Sequence, residues 1–541
     1  MSVLCYAALV IWQWMKNILV YSKENTKVTE CCALFTVFVA AIIVARYWIK
    51  NYNLPPGPWG IPYFGYLFFM KGTPPHLMFE SFAKKYGRIF SLRLGPQLVV
   101  VINDYNVIKE TFRREEFTGR PQNEFMKILG GYGIINAEGA MWKEQRRFLH
   151  HKLRKFGMTF SSGSNQKSLQ SKISLEVNIL NKRLVERRGA PTNISPFLAT
   201  SISNVICSLM MNVRFDQGET RFKRFMGLIE EGFKLFGSVD IINYIPITRF
   251  LPWMQKNQIK ISENHAEMAK FFQETVNQHR ETFEADSVRD IVDTYLLEIQ
   301  QAKNEGREDE LFQGKNHDRH IRQILGDLFS AGMETVKTTL EWAVLLMLHH
   351  PDKAKAVQEE LDQVVGRSRM PSFEDLPSLP ITDATIREVL RICSIVPLGT
   401  PHATTRDVTL KGYKIPAGTT IVPLLYAVHM DPKLWNDPEA FRPSRFLTSE
   451  GKIHTPEYFM PFGVGRRMCL GDVLARMELF TFFSSLMHTF DLKLSENSSL
   501  PSLKGNAGVT LSPDPFEICL LQRNLECSEV PSNPLRNIGS H

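Results

Sequence analysis

Pro461-Phe462-Gly463-Val464-Gly465-Arg466-Arg467-Met468-Cys469-Leu470-Gly471 runs directly into a long apolar helical segment, Asp472 to Met487 (DVLARMELFTFFSSLM). A cysteine just ahead of a helix N-terminus meets unpaired amides and the positive end of the helix dipole, which favour thiolate. Gly463, Gly465 and Gly471 let backbone approach closely, so that amides can point at the sulfur, and Arg467 adds positive charge. No partner cysteine stands nearby at metal-binding spacing. A single thiolate of this kind suits axial ligation of haem iron better than zinc or an iron–sulfur cluster. The bland alternative is a structural cysteine in a glycine-rich turn.

Upstream, Ala331-Gly332-Met333-Glu334-Thr335 interrupts the helical stretch Ile321 to His350. Glycine inside a helix costs about 1 kcal/mol against alanine, and its bare backbone would admit a flat macrocycle or dioxygen. Thr335 in mid-helix can bond the carbonyl four residues back and bend the helix. Alone, these five residues could equally be a polar break on a buried helix. Glu388-Val389-Leu390-Arg391 sets a carboxylate and a guanidinium three apart on one helix face, and Arg445 follows in FRPSRF (441–446). His349-His350 precede Pro351 at a helix end, where imidazole faces the last carbonyls. No H-E-x-x-H, Walker loop or G-x-S-x-G is present.

The cysteine string resembles the haem-binding loop of the cytochrome P-450 monooxygenases, F-x-x-G-x-R-x-C-x-G. The other landmarks follow in family order from Leu54 to about Leu521. The resemblance implies a mainly α fold with a small β region, the triangular P-450 fold, carried on an N-terminal membrane anchor. It implies haem b with Cys469 as the metal ligand, O2, and NADPH electrons delivered by a flavoprotein, NADPH-cytochrome P-450 reductase, with cytochrome b5 as a further partner. Glu334 and Thr335 become the acid–alcohol pair that relays protons, and Glu388, Arg391 and Arg445 a buried triad bracing the cysteine loop. Correspondence assigns cofactor binding to Arg120 (in FTGRP), Trp142 and Arg146 (in WKEQR), Ala331, His402 (in PHATTRD), Phe462 and Arg467. Trp142 and Arg146 sit four apart, so both can reach one propionate. Arg146, Arg147, Lys152, Arg154, Lys155 and Arg466 would form a basic face; a solvated charge stripe is the default reading, and the resemblance supplies docking of an acidic reductase.

The rest of the 541 residues agrees. Hydrophobic residues make up 44% and charged residues 22%, so disorder is excluded. The net charge of +8 comes from 64 basic and 56 acidic residues without long like-charge blocks, which gives no support to nucleic-acid binding. The eight cysteines show no C-x-x-C pair, which suits a reducing compartment. Residues 1–53 are expected to hold the anchor, with the span over about 31–49 (CCALFTVFVAAIIVARYWI) and a shorter apolar stretch at 3–14. Arg46 and Lys50 behind the span are expected to keep the body in the cytosol, and the P-450 resemblance implies the endoplasmic reticulum membrane. Leu54-Pro55-Pro56-Gly57-Pro58 is a stiff link, residues 54–525 form the monooxygenase domain, and 526–541 a frayed tail. Strands are expected at Ile89–Leu92, Leu98–Val101, Val408–Leu410 and Thr420–Val422, and helices over most of 122–348.

An apolar lining drawn from Phe125, Ile134, Ile135, Phe329 and Val396 fits a lipid-like substrate. The segments FRREEFTGRP (112–121), GYGIIN (131–136), SNVICSLMM (203–211), LFSAGMET (328–335), LDQVVGR (361–367), GVGRRMCLGDVLARMELF (463–480) and LPSLKGN (500–506) resemble the arthropod ecdysteroid 26-hydroxylases. That resemblance implies hydroxylation of a steroid side chain, sometimes onward to the acid, which inactivates the hormone. The rivals are oxidation of another sterol, a fatty acid or a xenobiotic; a haem-thiolate isomerase or lyase; and a membrane-bound haem or steroid binder without turnover.

Overall fold

The computed structural model describes residues 34–39, 41, 53–70, 72–216, 218–239, 241–496 and 498–523. Numbering helices of eight residues or more, α1 is Pro75–Tyr86, followed by the hairpin β1 (Ile89–Leu94) and β2 (Gln97–Ile102), then α2 (Tyr105–Arg113) and α3 (Gly139–Lys155). Next come α4 (Ser164–Val185), α5 (Ser195–Met210), α6 (Thr220–Val239), α7 (Pro252–Glu281) and α8 (Ile291–Asn304). The long α9 (His317–His349) leads into α10 (Pro351–Val364) and α11 (Pro380–Cys393). Four short strands follow: β3 (His402–Ala403), β4 (Val408–Leu410), β5 (Tyr413–Ile415) and β6 (Thr420–Pro423). The chain closes with α12 (Asp472–Thr489), β7 (Phe490–Lys493), β8 (Asn506–Ala507), β9 (Leu511–Ser512) and β10 (Cys519–Gln522). The expected mainly α architecture with a small β region is the one observed.

The helical body is built on α9 and α12. Asn316 caps α9 by accepting the Arg319 amide at 2.9 Å, and Pro351 ends it by pushing His350 out of helical conformation. His349 does not cap the helix as expected; its Nε2 pairs with the Pro501 carbonyl at 2.8 Å, and the His350 ring stacks on Phe441. Helix α12 is apolar nearly all round, as a helix surrounded by others must be. It packs with α4, α9, α10 and α11, while α9 also packs on α5 and α7. At Gly332 a Cβ would stand 2.8 Å from Ile206 Cδ1 of α5. The glycine in the Ala331–Thr335 stretch therefore serves helix–helix approach rather than the approach of a cofactor, because it faces the neighbouring helix.

The main sheet has the order β1-β2-β6-β3, antiparallel except for the parallel β2–β6 pair. Alternate residues serve opposite faces: Val100 and Ile102 pack on α2, and Val99 and Val101 belong to the cluster with α1. An isolated bridge between Gly119 and Ala403 brings Arg120 beside His402.

No helix among the described residues is long and apolar enough to cross a membrane. The span expected at about 31–49 lies largely outside those residues, as do the stretch 3–14 and the tail 526–541.

Candidate active site

The cysteine loop is docked by backbone. Arg466 N donates to Phe112 O at 3.0 Å at the end of α2. Gly465, at φ +82°, lies so close to that carbonyl that a Cβ would fall 2.1 Å from it, and only glycine tolerates both conditions. Cys469 N donates to Phe462 O at 3.0 Å, closing the turn, and the Phe462 ring lies under the Arg476 guanidinium at 4.7 Å.

Cys469 is exposed. It nevertheless lies deep enough that burial pushes its thiol up to about 11, against the Gly471 amide and the Arg146 and Arg476 guanidiniums, with Asp472 adding to the rise. Access combined with depth is the property of a chamber wall. The sequence expectation that the surroundings favour thiolate is corrected here: desolvation outweighs the helix end and the arginines. A bound metal cation would favour the ionised sulfur.

Around Arg467, two residues before the sulfur, the structure gathers five of the expected residues, Arg467 included. Arg467 donates from Nε to Thr118 O at 2.7 Å, from Nη1 to Ile135 O at 3.2 Å and from Nη2 to Ala137 O at 2.6 Å, and lies 4.3 Å over the Trp142 ring. Two of its five N–H groups remain after those three bonds. Arg120 donates from Nε to Ile135 O at 2.9 Å and from Nη1 to Pro401 O at 2.7 Å. His402 donates from Nδ1 to Phe117 O at 2.7 Å, with its ring against Phe112. Burial and the Arg120 charge hold the His402 pKa down to about 3, with Arg467 contributing. Arg146, on α3 with Trp142, is electrostatically coupled to Cys469 and Asp472.

This cluster carries more positive charge than it neutralises. Burial, then repulsion from Arg120 and Arg146, brings Arg467 down to about 8, with Glu138 the opposing carboxylate. Burial and Arg146 bring Arg120 to about 10, again against Glu138. Three guanidiniums, Arg120 buried and Arg146 and Arg467 half-buried, beside one carboxylate make a receptor for added anions.

On α9, Ala331 is exposed, whereas Met333, Val336 and Leu340 on other faces of the same helix are buried. Thr335 Oγ1 donates to Ala331 O at 2.8 Å. Glu334 points elsewhere: it pairs with Lys337 at 2.8 Å and accepts from Thr338 Oγ1 at 3.3 Å and Thr510 Oγ1 at 3.1 Å. Among the described residues no hydrogen bond joins these three to the cysteine cluster. Of the expected lining, Ile134 is nearly buried while Ile135 and Val396 are half-buried. Phe329 presents no surface and packs edge-on against Phe225, so it is core rather than lining. The Phe125 side chain lies outside the described residues.

The triad is formed. Glu388 accepts from Arg391 Nε at 2.7 Å and Nη2 at 2.8 Å, from Arg445 Nε at 2.9 Å and from the Arg442 amide at 2.8 Å. On the cysteine side of the molecule, an open trough of about 930 Å³ is lined by Lys143, Arg146, Arg147, Arg154, Lys155 and Arg466 among others.

The sequence pattern of the family described as "Cytochrome P450" matches residues 55–520. The chain belongs to the cytochrome P450 family. It is 52% identical over 512 residues to "Cytochrome P450 18a1" of Drosophila melanogaster, covering 94% of this chain and 95% of the relative. It is 35% identical over 511 residues to "Cytochrome P450 2U1" of Rattus norvegicus, covering 89% and 94%. With "Cytochrome P450 2J2" of Homo sapiens the identity is 37% over 487 residues, covering 89% and 93%. Members of this family are monooxygenases that use haem bound through a cysteine thiolate, O2, and NADPH electrons supplied by a reductase, and they act on lipophilic substrates. The residues of this P450 fit that cofactor. Cys469 offers an accessible sulfur, and the surplus guanidinium charge suits the two propionates of haem.

Sequence reasoning missed two residues that complete the site. Glu138 balances the arginines and accepts the Arg120 amide. Asp327, on α9, takes the Ile134 and Ile135 amides on Oδ2 at 2.7 and 2.9 Å. An acid inside the apolar run Ile324 to Phe329 was the available signal.

Proposed function

We propose that this P450 hydroxylates the side chain of a steroid, with C-26 of ecdysteroids as the position and the carboxylic acid as a further product, and so inactivates the hormone. The observation that carries the chemistry is Cys469, deep yet accessible beside a surplus of buried and half-buried arginine charge. The substrate rests on the seven segments that resemble the ecdysteroid 26-hydroxylases, and the 52% identity to one P450 over nearly the whole chain supports it.

Cys469 would hold the haem iron, with Arg120, Trp142, Arg146, His402 and Arg467 around the propionates and Ala331 and Phe462 against the ring. The bound group supplies activation of O2. The protein's own part is protons and exclusion of water. Thr335 Oγ1, bonded to Ala331 O, delivers a proton into the chamber. Glu334 collects protons on the Lys337 and Thr510 side. Adjacent helical residues diverge by roughly 100°, so a water completes the path between them.

Two exposed apolar patches support membrane association at the endoplasmic reticulum. Ile247, Phe250, Trp253 and Ile259 form one, and Tyr63, Phe68 and Phe69 the other. They are joined at the β1–β2 turn, where Gly95 N donates to Phe64 O at 3.0 Å, the glycine packs under Tyr244 O, and Gln97 Nε2 donates to Asn243 O. Contiguous exposed apolar surface marks an interface. The span at 31–49 and the domain limits 1–53, 54–525 and 526–541 belong to the same proposal, as does docking of the reductase, or of cytochrome b5, at the basic trough.

The test is product analysis from reductase-containing membranes given NADPH and 20-hydroxyecdysone. A terminal side-chain alcohol or its acid is expected. Substrate-dependent NADPH consumption without that product refutes the ecdysteroid assignment; no consumption at all favours the non-catalytic binder.

A further inference from the structure

His429 lies between β6 and the Glu388–Arg391–Arg445 cluster, with its side chain buried, and both ring nitrogens and its carbonyl are engaged. Its Nε2 stands 3.1 Å from the Met460 amide. A backbone N–H can only donate, so Nε2 is the unprotonated, accepting nitrogen. The neutral ring then carries its proton on Nδ1, which donates to Ser394 Oγ at 2.7 Å. Ser394 Oγ passes the direction on by donating to Arg391 O at 2.9 Å. The His429 carbonyl accepts from Arg391 Nη1 at 2.8 Å. One residue therefore joins both the backbone and the side chain of Arg391 to Met460.

Met460 is where the cysteine turn begins. Its carbonyl accepts the Gly463 amide at 3.0 Å, and Phe462 O accepts the Cys469 amide at 3.0 Å. The preceding residue, Phe459, has its ring 5.8 Å from the imidazole and wedged against Phe446 and Trp435. The opposite tautomer would set N–H against N–H at Met460. A protonated ring would do the same and would add a charge beside Arg391; burial and that guanidinium hold the His429 pKa down to about 3.

We propose that His429 is a positioning residue for Cys469: its Nε2 carries the constraint of the Glu388–Arg391–Arg445 cluster to Met460 and so fixes the sulfur as the haem ligand. The proposal rests on Cys469 being that ligand.

The test compares the full-length wild type with His429→Leu, His429→Gln and Ser394→Ala, each loaded with haem. The readout is the reduced carbon-monoxide spectrum, as the ratio of the neutral-ligand band to the thiolate band. Leucine leaves the Met460 amide without an acceptor, and that ratio is expected to rise about tenfold, the factor for one buried hydrogen bond lost. Glutamine, whose amide oxygen reaches the Nε2 position, is expected to restore most of the thiolate band. Ser394→Ala should raise the ratio by a smaller factor, and carries the test if the leucine variant does not accumulate. Unchanged ratios in the leucine and alanine variants overturn the proposal. So does lower haem content with the thiolate band intact in the haem that remains, because that is the mark of a merely structural residue. A wild type without any thiolate band overturns the Cys469 reading itself, and this proposal with it.

Discussion

Replacing Asp327 by alanine would strip two backbone amides, Ile134's buried and Ile135's partly buried, of their only described acceptor. Ile134 N and Ile135 N both bond to Asp327 Oδ2, at 2.7 and 2.9 Å, and Gln323 Nε2 bonds to Oδ1 at 2.8 Å. Each buried N–H left unpaired costs about 1–3 kcal/mol, so the expected loss for Asp327→Ala is about 2–6 kcal/mol. The damage should spread, because the Ile135 carbonyl accepts from both Arg120 and Arg467. Haem affinity is therefore expected to fall together with the thermal midpoint. Asp327→Asn should stay within about 1 kcal/mol of wild type, since one carbonyl oxygen in the Oδ2 position still takes both amides and the Gln323 amide can turn its oxygen toward the new NH2. Burial raises the Asp327 pKa against the lowering effect of those amides and Gln323. A carboxyl raised in the folded state contributes stability at acid pH that is lost as pH climbs through its folded pKa. The asparagine variant has no such loss, so its stability relative to wild type should improve from about pH 4 upward. Thermal unfolding followed by haem absorbance and circular dichroism across pH measures both effects. An alanine variant with unchanged midpoint and haem affinity would refute the reasoning, and an asparagine variant as damaged as alanine would show that charge rather than acceptor count matters.

Thr335→Ala keeps the helix, because alanine is the better helix former, but removes the hydroxyl; product formed per NADPH should fall by roughly tenfold with a matching rise in released hydrogen peroxide, and unchanged coupling would remove Thr335 from the proton path. Lys152→Glu with Arg154→Glu reverses charge on the α3 face beside the trough. Stopped-flow reduction by the reductase should slow by about tenfold at low salt, with the deficit shrinking as salt screens it; peroxide-driven turnover should be unchanged, and equal loss in both would sink the docking surface.

Some features were legible because their physics is local. The cysteine turn places its glycines and the following helix within a dozen residues. Glu388 and Arg391 meet because a helix sets residues three apart on one face. The strands at 89–92 and 98–101 announced themselves by alternation, those at 408–410 and 420–422 as short strand-like pieces, and α9 by its long apolar periodicity. Proline at 351 marked where that helix stops.

Other features had no local signature. Gly332 reads in sequence as an opening for a ligand, yet the structure fills that opening with Ile206, a residue more than a hundred positions away. Phe329 is apolar and near the site in sequence, but the turn of α9 faces it toward Phe225. Glu334 follows the same logic, being held by Thr510 from the β8–β9 hairpin.

By itself the sequence determined the family and the helical frame and singled out Cys469 as the proposed sulfur ligand, because those depend on residue type and on spacing along the chain. The ionisation of Cys469 and the surplus charge of Arg120, Arg146 and Arg467 were decided by tertiary structure, and so was the anchoring of Met460 by His429. Each depends on desolvation or on a hydrogen bond between segments far apart in sequence, and only the packed chain sets these.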